Sequence, residues 1–177
     1  MLEIFNPANA LGALQAFLAS GGQVLVAIMV LTFVMWALIL ERVIFFSFSQ
    51  GSITKHASRV WSGRTDRNSW YALAIREKLI SEVRQDANRN LILIKGLVAV
   101  APLLGLLGTV TGMVEVFNVM AVTGSSNARL MAGGISKATI PTMAGLVTSL
   151  SGILMVNIIE RSSNKTIVSV TDNLVIE

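Results

Sequence analysis

The 177-residue chain contains no cysteine and a single histidine, His56. Without thiols it forms no disulfide and no thiolate metal site, and one imidazole cannot make a two-histidine site within one chain. His56 lies outside the apolar segments and reads as a solvated loop residue. Charge is scarce as well: 14% of residues are Asp, Glu, Lys or Arg, against about 25% in ordinary soluble domains. The deficit is local. Residues 4–40, 96–114 and 138–159 carry no charge at all, and each run approaches or exceeds the roughly 20 residues that cross the hydrocarbon layer. Lys and Arg are also missing before Gln23, so the chain shows no basic start of a cleavable signal peptide. Nucleophile–base pairs, phosphate loops and metal constellations are lacking too. The sequence therefore predicts no enzyme, no catalytic residue, no metal and no cofactor.

What is present is apolar: 53% of the residues. The pattern predicts an all-α membrane protein with three transmembrane helices, the second and third long enough to extend beyond the bilayer. Asn6-Pro7 starts a short helix, with Leu11, Leu14 and Leu18 at helical spacing, and Gly21-Gly22 breaks it; residues 1–22 form an external interfacial helix. The first span covers 23–42, from Gln23 to the Glu41-Arg42 boundary, with Phe45, Phe46 and Phe48 continuing the helix. Residues 43–90 form a cytoplasmic helical segment with a turn at Ser62-Gly63. In it Ile75, Leu79 and Val83 make a stripe that packs on its own neighbours or docks another protein. The second span is 91–120, the external turn 121–129, the third span 130–159 and the cytoplasmic tail 160–177. Ten of the 14 basic residues fall between Arg42 and Lys95. Positive charge stays in the cytoplasm, so both that segment and the C-terminus are inside. The basic excess is thus a topological signal and at most a contact with membrane lipids; it does not indicate nucleic acid.

Helices in lipid gain nothing from leucine against leucine and associate through small residues. The second span offers Gly105, Gly108 and Gly112, and the third offers Gly145 and Gly152, with Pro102 and Pro141 as kink positions. The first span has almost nothing comparable and is expected to face lipid. At about 100° per residue, Ala138, Thr139, Thr142, Gly145, Ser149 and Gly152 share one small, mildly polar face. Thr109 shares a face with Gly105 and Gly112, while Thr111, Glu115 and Asn118 form a separate polar stripe. In an antiparallel hairpin Thr109 and Thr142 fall at matching depth, and so do Glu115 and Lys137. The charges are read as a membrane pair, within a chain or between subunits, or as groups that move ions. The threonines serve either helix packing or a pore.

The segments APLLGLLGTVTGM and LMAGGISKATIPTMAGLVTSLSG resemble the two signature helices of the ExbB/TolQ/MotA proton-channel family, nearest to its ExbB members. The resemblance runs from about residue 23 to 160. It implies a bacterial inner-membrane protein with a periplasmic N-terminus, assembled as a homo-oligomer, a pentamer in ExbB, whose second and third spans line a helical pore. It further implies a dimer of ExbD-like single-span subunits in that pore, and a TonB-like protein that is energised to drive transport across the outer membrane. The family's pore threonines match Thr109 and Thr142, with Thr139 and Ser149 beside them on the pathway. One position departs: the family usually has glutamate where Lys137 stands. A lysine takes up no proton at neutral pH unless its surroundings strongly favour the neutral amine. The departure points to a variant or paralogous system. A TolQ-like envelope subunit, a sodium-driven stator and a passive membrane scaffold are the rival readings.

Overall fold

A computed structural model describes residues 7–48, 59–63, 66, 69–124 and 128–174. Asn6 and His56 lie outside them. Four long helices account for nearly all of these residues: α1 (Pro7–Phe48), α2 (Trp70–Asn88), α3 (Leu91–Thr123) and α4 (Ala128–Asn173). No strand occurs among the described residues. Three stretches are long and apolar enough to cross a membrane: Gly21–Phe48, the apolar part of Trp70–Val122, and Met131–Asn173. The protein is thus an all-α membrane protein.

The helix ends follow local chemistry. Within α1 the backbone leaves helical geometry at Gly22, φ 65° and ψ −161°, a left-handed conformation that only glycine adopts without strain. The break expected at Gly21-Gly22 is therefore real. Ser69 caps α2 by accepting from the Tyr71 amide at 3.3 Å. The α2–α3 turn passes through Asn90 at φ 60°, and the Asn90 carbonyl accepts from the Ile94 amide at 3.0 Å to begin α3. Helix α4 continues to Asn173. Residues 160–173 are thus helical, since Ser163, Thr166 and Val170 extend the buried stripe of the preceding span.

Burial repeats at alternating intervals of three and four. Leu25, Ile28, Met35, Ile39 and Arg42 are buried on α1, with Thr32 half-buried between them. Leu91, Ile94, Val98, Ala101, Gly105 and Gly108 follow the same rule on α3. This is the seam of helices packed at shallow angles. It corrects the expectation for the first span: α1 gives one stripe to the protein and leaves the other side, including Phe33 and Val30, exposed. An unbroken apolar run hides that stripe from any polarity contrast.

The chain divides into two compact units, residues up to Met35 with Leu97–Ser151, and Trp36–Gly96 with residues from Gly152 onward. In the second unit Trp61, Ala72, Leu79, Val83, Val170 and Leu174 form a core, with Ile75 and Ile80 packed against it. Arg76 closes the α4 C-terminus, its Nε donating to the Leu174 carbonyl at 2.7 Å and its Nη2 to that of Thr171 at 3.3 Å. Arg42, 1% exposed, donates through Nη1 to the Asp86 carbonyl at 3.0 Å and through Nη2 to Glu41 Oε1 at 3.1 Å. Its guanidinium lies 4.9 Å from the Phe45 ring centroid. Asn90 Nδ2 donates to Glu41 Oε2 at 2.9 Å, and Lys95 pairs with Glu160.

Candidate functional site

The first unit is organised around the hairpin of α3 and α4, which meet where a side chain would not fit. A Cβ on Gly145 would lie 2.5 Å from the Ala101 carbonyl oxygen and 3.2 Å from the Gly105 Cα. One on Gly105 would lie 3.0 Å from the Pro141 carbonyl oxygen, and one on Gly112 2.7 Å from the Ala138 Cβ. Gly108 meets the Pro141 ring and Gly134 meets Val116. The obstacles at Gly145 and Gly105 are backbone atoms, which cannot swing aside. Close backbone approach, the main source of helix association in lipid, therefore runs the length of the hairpin. Gly152 is buried as well, in the second unit.

Pro102 and Pro141 sit inside continuous helices. Pro141 lacks the amide that would bond the Lys137 carbonyl, and it fills the space above Gly108. One residue on, the Thr142 hydroxyl donates across the hairpin to the Gly105 carbonyl at 2.8 Å. Thr109 donates instead within its own helix, to the Leu106 carbonyl at 2.7 Å. Thr139 does the same to Ser136 at 2.8 Å and is exposed. Ser149 is buried.

The packed face of α4 is centred on Pro141, Gly145 and Thr148 rather than on Thr142. Thr142 stands at its edge and Thr139 beyond it. This adjusts the expectation that all the small polar residues share the contact. The Thr142 hydroxyl meets Gly105, one turn along α3 from Thr109, because the ridged crossing shifts the hairpin register from simple equidistance about the turn.

Helix α1 covers one flank of the hairpin. Val24 reaches Gly108, and Thr32 Oγ1 lies 3.0 Å from Thr148 Oγ1. Thr32 donates to the Ile28 carbonyl at 2.7 Å, so Thr148 is the donor within the pair. Sequence reasoning passed over this bridge; its one signal was a lone threonine in the apolar run of α1. By the helical wheel, Thr109, Thr142 and Thr139 lie on the other flank. Glu115 and Lys137 fall on the α1 flank. Both are exposed, and they line one groove of about 680 Å³ with Gln23 and Thr111. No ion pair joins them among the described residues. The structure thus keeps Thr109, Thr142 and Thr139 apart from Glu115 and Lys137, which Thr111 joins in the groove.

A glycine-packed membrane hairpin with hydroxyls along its free flank defines the class, and comparison with known proteins supplies the family. The MotA/TolQ/ExbB proton channel family matches residues 48–172, and the chain belongs to it. An ExbB-like biopolymer transport protein of Synechocystis sp. is 40% identical over 70 residues, 38% of this chain and 28% of that protein. An ExbB-type biopolymer transport protein of Vibrio cholerae is 32% identical over 96 residues, 54% of this chain and 42% of its own length. That of Helicobacter pylori is 32% identical over 85 residues, 48% and 59% respectively. The chain therefore matches between about a quarter and three fifths of these relatives.

Proposed function

We propose that this chain is the pore-forming subunit of an ExbB-like motor driven by the proton-motive force. It acts as a homo-oligomer, a pentamer by family analogy, in the bacterial inner membrane, with its N-terminus periplasmic and its C-terminus cytoplasmic. Its partners are a dimer of ExbD-like single-span subunits within the pore and a TonB-like protein that works on outer-membrane transport.

The observation that carries this reading is the Thr142 hydroxyl, bonded to the Gly105 carbonyl at 2.8 Å at the edge of the packed face. A hydroxyl has one proton to give and two lone pairs. Here the proton is committed to the carbonyl, so the lone pairs are turned to whatever adjoins the free flank. They accept a hydrogen bond from a protonated carboxyl on a partner helix, holding it neutral inside the bilayer. When that carboxyl ionises, the Thr142 and Thr109 hydroxyls rotate off their carbonyls and donate to it. Because both carbonyls belong to the rigid hairpin, the exchange needs only torsions about Cα–Cβ and Cβ–Oγ. Such hydroxyls serve an ion pathway without themselves ionising. The α1 flank, where Glu115 and Lys137 stand, is no part of this route.

The test is iron–siderophore uptake in cells that carry Thr142→Val as the only copy. The motor reading expects uptake to fall to background while the complex purifies intact. A passive scaffold would assemble and support uptake unchanged.

A further inference from the structure

The groove on the α1 flank has a composition unlike a lipid-facing surface. Its floor is glycine, at Gly108, Gly112 and Gly134, and its walls carry Glu115 from α3 and Lys137 from α4. The helical break at Gly22 falls on its rim. We propose that it binds the headgroup of a zwitterionic aminophospholipid, the phosphate on Lys137 and the primary ammonium on Glu115.

Three observations support this occupant. First, both charges are exposed on apolar helices and form no ion pair with each other among the described residues. A charge among acyl chains needs a counter-charge or water. A simple ion satisfies one of the two and an acyl chain neither, whereas a zwitterion satisfies both at once. Second, Glu115 lies about 12 Å of helix rise from the end of α3 at Thr123, and Lys137 about 14 Å from the start of α4 at Ala128. Both charges thus stand toward the turn end of the hairpin and away from the middle of their helices, and the long lysine stem can reach further toward the interface. Third, about 680 Å³ stands open between the helices, so the space for a headgroup exists without any helix moving. A primary ammonium donates charge-assisted hydrogen bonds to the carboxylate. The trimethylated ammonium of a choline lipid has no hydrogen to give, so the site distinguishes the two.

The full-length protein, purified with whatever companions remain bound, is supplied with equal amounts of phosphatidylethanolamine and phosphatidylcholine, and lipid retention is followed by native mass spectrometry. The wild type is expected to keep the ethanolamine lipid about tenfold better, the effect of a charge-assisted hydrogen bond. Glu115→Gln should erase that preference, and Lys137→Met should weaken retention of both lipids. Thr142→Val should leave retention unchanged, which separates this site from the proposed proton route. Equal retention of the two lipids by the wild type overturns the proposal, and needs no variant to fold. So does a Glu115→Gln variant that keeps the full preference for the ethanolamine lipid, because the ammonium would then be held elsewhere.

Discussion

The two units of the chain solve the same packing problem by different means. All but four of the charged residues, Glu3, Glu115, Arg129 and Lys137, belong to the second unit. That unit is held by an apolar core around Trp61 and Leu79 and by arginines that close helix ends. The first unit holds its helices through glycines against backbone and through hydroxyls against carbonyls. Burial of apolar area stabilises a fold only where water is the alternative. In lipid the remaining forces are dispersion at close approach and hydrogen bonds that have no competitor. The same threonine therefore does more in the first unit than it would in the second.

Substitutions at equivalent depth in the two units should break along this line. The largest effect is expected in the second unit, where Trp61→Ala empties a site only 3% exposed and should cost about 3–5 kcal/mol. Limited proteolysis of the 59–90 region would read it. Arg42→Met should cost about 2–3 kcal/mol, because the Asp86 carbonyl loses a charge-assisted donor; the same assay applies, and Arg42→Lys should recover only part. In the first unit Gly145→Val drives a side chain into the Ala101 carbonyl and should cost about 1–3 kcal/mol, seen as loss of the detergent-stable complex. Thr32→Val removes the bridge to Thr148 and should cost only about 0.6–1.7 kcal/mol, a small drop in the unfolding temperature in detergent. If Trp61→Ala proved milder than Gly145→Val, the solvent argument would need revision.

Much of this architecture was legible in the residues. The charge-free runs gave the spans, Gly21-Gly22 gave the break in α1, and the glycines of α3 and α4 gave the crossing. The stripe of Leu79 and Val83 on α2 is buried, with Ile75 packed against it. Other features were hidden for physical reasons. The heptad seam of α1 lies in a run where every side is apolar, so polarity marks no face. The helical extension at 160–173 mixes Ser163 and Thr166 into its buried stripe, and the hydrogen bond from Ser163 Oγ to Asn88 Oδ1 at 2.9 Å satisfies one of them only in the folded state. Which flank of the hairpin α1 covers, with Val24 against Gly108 and Thr32 against Thr148, is a tertiary choice that a helical wheel does not reveal.

The most direct measurement is proton flux through the purified complex in vesicles under an imposed gradient, comparing Thr142→Val with Thr142→Ser. Valine keeps the shape and removes the hydroxyl, whereas serine keeps the hydroxyl and removes a methyl. The account predicts that flux disappears with valine and survives with serine. Undiminished flux through the valine variant would contradict it.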